Sequence, residues 1–418
     1  MTWHSEFLGP GAAGIELEER HPYLSSLLSA APAHLPLTLS RVANWRTARE
    51  AERNRPPRVG NMPYHVVLDP ATICNLRCPL CVQATAPSGR KRGFLHLADY
   101  ERVLAEIAPT AIRLDLFNWG EPLLNPAFSE IVQRAHAHSL WTRTSSNLSL
   151  ATGFDADQLV RSGLRYLVVS IDGSTQETYE KYRVRGDLDL VLGNVEAVVA
   201  AKERHGTTYP TVEWQFLALD HNTHEIEAAR SVARGLGVDV FRYGGARAEM
   251  STKLTSSSAE GVAASAPYLL APTHPLSEYD ERGAKLRTRE LEGCRWLWGK
   301  AALNPDGGVA PCLSSWFDAD DLGTWTGEGG FTAVWKGESF DEARRVAVTS
   351  GTASGSVCSQ CAHHRNFVPT PDNDREEWPD AALVTSVAAG LRASGTAVAA
   401  EVEDGVRGAV ETVDLPIG

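Results

Sequence analysis

The segment His65-Val-Val-Leu-Asp69 precedes Cys74-Asn-Leu-Arg-Cys78-Pro-Leu-Cys81 by four residues, and the rest of the chain is arranged around this pair. The apolar, β-branched run predicts a buried strand, and three thiols follow it at a spacing of C-x3-C-x2-C. Clusters of the [4Fe–4S] type are normally held by four thiolates, so three thiols can bind three irons and leave the fourth iron open. The alternatives are three unrelated core cysteines or a zinc loop. Zinc would require a fourth ligand, and His96 lies fifteen residues beyond Cys81.

Strand-like and helix-like segments alternate from about residue 63 to residue 245. Helices are indicated by apolar residues at three-to-four spacing, as in Asp99-Tyr-Glu-Arg-Val-Leu-Ala-Glu-Ile107. Such alternation predicts βα units around a parallel sheet, and six units make an α/β fold with a partial (β/α)6 TIM-like barrel. Chemistry gathers at the C-terminal ends of the strands in such sheets, where the cysteine loop lies. The predicted strands are 65–69, 111–117, 140–145, 165–171, 211–217 and 238–243, and the predicted helices are 97–108, 126–138, 155–162, 175–182, 187–205 and 223–236.

The composition is that of an ordinary globular protein with an acidic balance. The chain has 418 residues, of which 43% are hydrophobic and 22% charged, and its formal net charge is −12. This charge argues against a nucleic-acid partner, and we expect the basic clusters Arg46–Arg58 and Arg90–Arg92 to lie on solvated faces or loops. No apolar run approaches the ~20 residues of a membrane helix, and a signal-peptide pattern is missing. Seven cysteines in such a chain are expected to be free thiols or metal ligands in the cytoplasm.

Three further segments, together with the cysteine loop, resemble the radical S-adenosylmethionine (radical SAM) enzymes. Asn118-Trp-Gly-Glu-Pro122 is similar to the family's Gly-Gly-Glu-Pro loop, with Trp119 in place of the first glycine. Val169-Ser-Ile-Asp-Gly173 is similar to its Ser-x-Asp-Gly turn, and Thr178-Tyr-Glu-Lys-Tyr-Arg183 resembles its Tyr-x-x-x-Arg segment. The resemblance implies a [4Fe–4S] cluster whose open iron chelates SAM. It also implies cleavage of SAM to a 5′-deoxyadenosyl radical that abstracts hydrogen from substrate, with flavodoxin or ferredoxin as electron donor.

The resemblance also assigns roles to individual residues around SAM. Gly120 and Glu121 are expected to meet the SAM amino group, whose N–H donors need acceptors nearby. Ser170 is expected to contact the methionine portion. Asp172 belongs to the same turn and is further expected to cap the helix that follows it.

Arg183 is expected to bind the SAM carboxylate, because a guanidinium suits a carboxylate as a two-pronged partner. Asn147, at the end of the third predicted strand, and Gln215, inside the fifth, are expected near the ribose or the substrate. The plain alternatives are a surface arginine at position 183, with Lys181 and Arg185 as competitors, and a hydrogen-bonded core glutamine at position 215.

Four further cysteines surround a predicted hairpin in the C-terminal part of the chain. The turn is Leu303-Asn-Pro-Asp-Gly-Gly308, and its strands are expected at 296–303 and 309–313. Two cysteines flank the hairpin in a C-x12-G-x4-C pattern and two form a C-x2-C pair, so that four thiols close one site. A structural zinc site needs the same ligands and stays open on spacing alone. The four ligands are Cys294, Cys312, Cys358 and Cys361.

This pattern resembles the auxiliary-cluster domain of SPASM and twitch radical SAM enzymes. Because no cysteine follows Cys361, it matches the shortened twitch version with one auxiliary cluster, so that the resemblance implies two [4Fe–4S] clusters in all. All seven cysteines are then ligands, and no thiol is left to return a hydrogen atom to a substrate radical. Hydrogen abstraction, proton loss and electron transfer to the auxiliary cluster sum to a two-electron oxidation, such as alcohol to ketone. Candidates for the base near predicted strand ends are Arg183, His221, His224 and Glu249.

We therefore predict a radical SAM oxidoreductase acting on a small polar metabolite. The first sixty residues show no strand-rich domain that could pair with a leader peptide, which favours a sugar, aminocyclitol or nucleoside substrate from a biosynthetic pathway. The alternatives are a radical epimerase, dehydratase or decarboxylase on a carbohydrate, a ribosomal-peptide-modifying enzyme and a zinc-stabilised binding protein. The predicted segments are a helical extension and linker at 1–62, a partial barrel at 63–245, a loop or lid at 246–290, a small α+β twitch-type domain at 291–368 and a linker with a helix at 369–418.

Short segments outside the barrel give weaker signals. Helices are expected at 24–30, 40–53 and 380–398. Five tryptophans fall between positions 296 and 335 and predict an aromatic core for the C-terminal domain. The alternative is that they form a wall of the substrate pocket.

Overall fold

The computed structural model describes residues 4–8, 39–85, 88–246, 266–277, 294–349 and 357–361. Within these ranges, no helix is both long and apolar enough to cross a membrane. The predicted helices at 24–30 and 380–398, the C-terminal linker, most of the predicted lid and Glu249 lie outside the described residues.

A single mixed sheet runs through the described part of the chain. Its strands are β1 (His4–Phe7), β2 (His65–Leu68), β3 (Arg113–Asp115), β4 (Trp141–Ser146), β5 (Tyr166–Ser170), β6 (Thr211–Ala218), β7 (Val240–Gly245), β8 (Lys300–Leu303) and β9 (Val309–Ala310). They are arranged in the order β1-β7-β6-β5-β4-β3-β2-β8-β9. Strands β2 to β7 pair in parallel and in sequence order. The α/β class and the six-unit partial barrel are thereby confirmed.

Helices connect the parallel strands and cover their outer face. Within the helix Leu97–Ile107, the residues Tyr100, Val103, Leu104 and Ile107 are buried, which is the apolar face that three-to-four spacing predicts. The predicted helices between residues 97 and 236 are confirmed within a few residues at each end. The described helices are α1 (Leu39–Asn54), α2 (Val82–Thr85), α3 (Leu97–Ile107), α4 (Phe128–Ala137), α5 (Ala156–Arg161), α6 (Gln176–Tyr182), α7 (Leu188–Arg204), α8 (Ile226–Gly235), α9 (Trp296–Gly299), α10 (Gly330–Trp335), α11 (Glu338–Val348) and α12 (Val357–Gln360).

The two faces of the barrel strands carry different side chains. Side chains alternate between the faces along each strand, and outward ones such as Leu114, Leu116 and Trp214 join the hydrophobic core with the helices. The inward side chains between them, such as Arg113 and Asp115, are polar but also buried. We call the space enclosed by the inward side chains of β2 to β8 the barrel lumen. Its polar lining contrasts with the apolar outer core.

The structure corrects two expectations at the ends of the sheet. The N-terminal segment was expected to lack strands, yet β1 pairs antiparallel with β7 at the sheet edge; four residues are too few for a visible alternation. Residues 296–299 were expected to begin a strand, yet they form α9. Within it the Trp298 indole donates to the carbonyl of Pro56 at 2.8 Å, a partner far along the chain that no local pattern signals. The hairpin itself is confirmed, with β8 and β9 antiparallel. Strand β8 also pairs in parallel with β2, so the hairpin extends the barrel sheet.

Arg90 contradicts the expectation of a solvated basic cluster. Its side chain is 1% exposed and donates two hydrogen bonds of 2.7 Å to the Asp321 carboxylate. It also donates to the backbone carbonyls of Trp316 and Phe317. The loop that follows the cysteines is therefore fixed to the C-terminal domain by a buried ion pair.

The tryptophans of the C-terminal part fill its core. Trp298, Trp316, Trp325 and Trp335 are each at most 4% exposed, and the Trp335 ring lies 4.9 Å from that of Phe340. For Trp298, Trp325 and Trp335, which belong to the hydrophobic core, the predicted aromatic core is confirmed.

Candidate active site

The loop after β2 brings the three predicted cluster ligands together. Cys74, Cys78 and Cys81 pack in one apolar cluster with residues such as Leu76. Burial, with the Glu121 carboxylate and the other two thiols adding to it, raises the pKa of Cys74 to about 12. Thiols that ionise this reluctantly become thiolate ligands when a metal supplies the compensating positive charge. This donor set therefore fits three corners of a [4Fe–4S] cluster.

Neighbouring loops hold the cysteine loop in place. The Arg77 backbone N–H donates to the Val184 carbonyl at 3.1 Å, beyond the end of α6. The Asn75 side-chain amide donates to the Ser149 carbonyl at 2.8 Å, beyond the end of β4. The loop is thus anchored to two other strand–helix units of the barrel.

Arg183 lies inside this site and not on the surface. Its side chain is 15% exposed, its Nε donates to Asp172 Oδ2 at 2.5 Å, and its guanidinium reaches within 3.9 Å of Cys78 Sγ. Lys181, the competing cation, is 49% exposed and pairs with Glu177. The geometry therefore favours Arg183 over Lys181 as the cation beside the cysteine cluster, and its contact with SAM stays a prediction.

The capping role expected of Asp172 is wrong. The N-cap of α6 is Thr175, whose side chain accepts a hydrogen bond from the Thr178 N–H. The first helical residue is Gln176, four positions after Asp172, so the Asp172 carboxylate is not at the N-cap and turns inward. Asp172 is fully buried and accepts from Arg183 and from the Leu217 backbone N–H at 2.7 Å. It positions the guanidinium.

Glu121 joins the loop after β3 to the end of β4. The carboxylate is buried and accepts hydrogen bonds from the Ser146 hydroxyl, the Asn147 N–H and the Leu123 N–H. Burial raises its pKa to about 7, although these donors oppose the shift. The oxygen Oε2 accepts only the Asn147 bond among these three, so it keeps acceptor capacity for an amine. The predicted contact with the SAM amino group is compatible with this geometry.

Gly120 lies where the loops after β2 and β3 touch. A Cβ at this position would stand 1.8 Å from the Ala71 carbonyl oxygen and 2.9 Å from that of Ile73. The N–H groups of Gly120 and Trp119 both donate to Asp69 Oδ2, at 3.2 and 2.8 Å. Asp69 was not singled out from the sequence, although an acid ending a buried apolar strand was the available signal. Burial raises its pKa to about 6 against these backbone bonds.

We expect Gly120→Ala to destabilise the protein by about 1–3 kcal/mol, because the added methyl meets backbone atoms that cannot rotate away. The clash displaces the loop beside the cysteines, so the iron content should fall as well. Thermal unfolding and iron analysis check this. The matched control is Gly193→Ala in α7, where a Cβ meets nothing within 4 Å and helix propensity favours alanine by up to ~1 kcal/mol. Equal effects of the two substitutions would contradict the close approach.

The other predicted SAM residues lie on the same side of the sheet. The Asn147 amide is 3.7 Å from Cys74 Sγ. Ser170 and Gln215 are cross-strand partners, and Gln215 shares a strand face with Leu217, which packs against the cysteine cluster. The structure thus brings these residues to one region, while their individual contacts with SAM remain predictions.

The C-terminal cysteines form a second group. Burial raises the pKa of Cys312 to about 12, and Cys294 and Cys361 lie close enough to add to this shift. The Cys361 N–H donates to the Cys358 carbonyl at 3.3 Å, so the C-x2-C pair forms a tight turn. Four buried or half-buried thiols match the ligand chemistry of an iron–sulfur cluster. Across the described ranges, no three His, Cys, Asp or Glu side chains stand close enough to share a single metal ion.

An aromatic contact links the two groups of cysteines. The Trp119 ring lies 5.2 Å from that of Trp316 at an interplanar angle of 68°. Trp119 belongs to the loop that carries Gly120 and Glu121, and Trp316 follows Cys312 by four residues. Sequence reasoning recorded Trp119 only as a departure from the family pattern, because nothing local signals a partner so far along the chain.

The two described histidines among the candidate bases differ in their surroundings. The His221 ring lies 6.5 Å from that of Tyr268, which packs against the cysteine cluster, and burial lowers the pKa of His221. His224 is 70% exposed and lies 4.0 Å from Glu225. His221 is therefore the nearer of the two to the cysteine cluster.

Comparisons with known proteins agree with this geometry. Residues 68–212 match the radical SAM superfamily model and residues 294–362 match the SPASM iron–sulfur cluster-binding domain. The chain belongs to the radical SAM superfamily. Within it, the chain is one of the members with a C-terminal SPASM iron–sulfur domain.

Individual relatives are distant. Mycofactocin maturase MftC of Mycobacterium ulcerans is 23% identical over 301 residues, which cover 70% of this chain and 78% of that protein. GTP 3′,8-cyclase of Caulobacter vibrioides is 28% identical over 173 residues, or 40% of this chain and 47% of that protein. Among solved structures, Streptococcus suis SuiB bound to precursor peptide SuiA is similar with a TM-score of 0.51 and 14% identity, covering 77% of this chain and 74% of that one.

Proposed function

We propose that this radical SAM enzyme catalyses a two-electron oxidation of a small polar metabolite, such as a sugar, aminocyclitol or nucleoside. One observation carries the proposal. The seven cysteines of the chain divide into three on the loop after β2 and four around the β8–β9 hairpin. If all seven are ligands, no thiol is left to return a hydrogen atom to the substrate. A net oxidation then gives each group of cysteines a role: the first would bind the cluster that cleaves SAM, and the second would bind a cluster that accepts the remaining electron.

The balance of the reaction is that of a dehydrogenation. The substrate loses one hydrogen atom, one proton and one electron, which together convert an alcohol to a ketone. When bound, the cluster at Cys74, Cys78 and Cys81 with SAM supplies a hydrogen-abstracting radical, and the second cluster takes up the remaining electron. We further propose a flavodoxin or ferredoxin as the source of the electron that cleaves SAM.

The chain's own residues prepare the site for this chemistry. Arg183, held by Asp172 at 2.5 Å, presents a guanidinium beside the cysteine loop for a carboxylate. Glu121 presents a buried acceptor for an amine. Leu76 and Tyr182 pack with the cysteines and shield them partly from water.

The test is turnover of the anaerobically reconstituted enzyme with SAM, dithionite and panels of sugars, aminocyclitols and nucleosides. We expect 5′-deoxyadenosine in proportion to a product two mass units lighter than its substrate. A product with the same mass as its substrate would indicate epimerisation and contradict oxidation. Turnover with a peptide alone would overturn the substrate class.

Ribosomal-peptide modification is the second candidate, and a specific similarity favours it. SuiB was solved bound to a precursor peptide, and its fold is similar over 77% of this chain. A precursor peptide encoded beside this enzyme, assayed under the same conditions, separates the candidates. A peptide product with no turnover of any small molecule would select this second function.

A further inference from the structure

Most charges in the barrel lumen are matched by opposite charges. Asp115 accepts from Arg113 Nε at 2.7 Å and Nη2 at 3.0 Å, and it lies 3.0 Å from His65 Nε2. Glu213 accepts from the Tyr166 hydroxyl at 2.6 Å. It also lies 3.3 Å from the Nε of Arg242. Both carboxylates of these strands are therefore already engaged.

Arg143 is the exception in this lumen. It lies on β4 opposite Asp115 and Tyr166 in register, so it faces inward with them. Its guanidinium carbon lies 5.2 Å from the Tyr166 ring centre and 5.8 Å from that of Phe117. Its Nε is buried without a hydrogen-bond partner. Among the described residues, no carboxylate lies within ion-pair distance of Arg143.

Such an arrangement suits anion binding. A guanidinium stacked against aromatic rings keeps its N–H groups at the edge of its plane, where they can meet a carboxylate or phosphate in a forked geometry. The Arg143 side chain is half-buried, and its buried Nε has no partner, so a ligand carboxylate or phosphate would supply the opposite charge that the described carboxylates do not.

The distance from Arg143 to the cysteine loop matches a small substrate. Arg143 on β4 precedes Asn147, the first residue after that strand, by four positions, which is about 13 Å at ~3.3 Å per residue. The Asn147 amide is 3.7 Å from Cys74 Sγ. Ser145 of β4 lies between Arg143 and Asn147 and faces inward as Arg143 does. A molecule anchored at Arg143 therefore extends toward the site where hydrogen is abstracted.

We propose that Arg143 binds an anionic group, a carboxylate or a phosphate, on the substrate within the barrel lumen. This inference rests on the proposed function for the identity of the site, and it narrows the substrate class from polar to anionic. The end of the substrate remote from the cysteine loop is held by charge, and the carbon to be attacked stands nearer that loop.

Binding without turnover tests the inference separately from the reaction. Titration calorimetry of the reconstituted holoenzyme with SAM and no reductant would use glucose 6-phosphate, gluconate and glucose as probes, with inorganic phosphate as a fourth. We expect wild-type protein to bind at least one anionic probe at least tenfold more tightly than glucose. Whichever of glucose 6-phosphate and gluconate binds more tightly indicates whether the anionic group on the substrate is a phosphate or a carboxylate.

Three variants complete the test. Arg143→Gln should weaken binding of the anionic probe at least tenfold. Arg143→Lys should have an affinity between those of wild type and Arg143→Gln, because lysine keeps the positive charge and loses the forked pair of N–H donors. The control, Arg102→Gln, removes an exposed arginine that pairs with Asp99 and should bind like wild type. If Arg143→Gln lacks iron or a native circular dichroism spectrum, the affinity of Arg143→Lys for the anionic probe becomes the test. An affinity of Arg143→Lys equal to that of wild type would overturn the inference. Equal affinity of wild type for glucose and both anionic probes also overturns it. Anion binding at Arg143 without any 5′-deoxyadenosine formation would sustain it while the proposed function fails.

Discussion

Replacing Cys74, Cys78 and Cys81 together with alanine should abolish SAM cleavage and lower the iron content from about eight to about four atoms per chain. The three thiols lie on one loop and pack in one cluster, so the variant removes one complete ligand set. The four cysteines around the hairpin belong to a separate group, so we expect them to keep their four irons. High-performance chromatography of 5′-deoxyadenosine, with iron analysis on the same sample, checks both outcomes.

The remaining iron is the internal control for that variant. About four irons per chain with a cluster absorbance band indicate that the C-terminal domain is intact, so the lost activity belongs to the substituted loop. SAM cleavage that survives the triple substitution would contradict the assignment of the cysteine loop. Loss of all iron would contradict two independent sites.

Arg90→Met should lower the apparent free energy of unfolding by about 3–5 kcal/mol, because it leaves a buried carboxylate without its cation. Arg90 and Asp321 are 1% and 14% exposed, and Arg90 also serves the carbonyls of Trp316 and Phe317. Urea unfolding of the reconstituted protein measures the change.

Two companions sharpen this prediction. Arg92→Met, at an exposed position two residues away, should change the unfolding free energy by no more than ~0.5 kcal/mol. The double variant Arg90→Met with Asp321→Leu should be less destabilised than Arg90→Met alone, because removing both charges leaves neither unpaired. Similar losses for Arg90→Met and Arg92→Met would refute the buried bridge.

Local patterns sufficed for the barrel and for the cysteine loop. The spacing of apolar residues within each βα unit predicts its strand and its helix. The three thiols of the C-x3-C-x2-C loop lie within eight residues of each other, so they must be close in space. The same holds for the hairpin, whose Asn304-Pro-Asp-Gly307 turn sets its position. Hydrophobic periodicity and residue spacing carry information about neighbouring residues in the chain, and the βα units, the cysteine loop and the hairpin are all formed by such neighbours.

Long-range pairs were out of reach for the same reason. Arg90 and Asp321 are 231 positions apart, and a basic triplet in a loop reads the same whether it is solvated or buried. The Trp119 contact with Trp316 joins two loops from different domains. Asp172 was expected to cap a helix because its residue type suits a cap, but the helix begins at Gln176, which makes Thr175 the N-cap. Each of these depends on tertiary packing, which residue type alone does not encode.

Metal and acid-labile sulfide analysis of protein purified and reconstituted without oxygen tests whether the seven cysteines hold two iron–sulfur clusters. We expect about eight irons and about eight sulfides per chain, as two cubes require. One zinc per chain with no iron or sulfide would contradict it and identify the four-cysteine site as a structural zinc site.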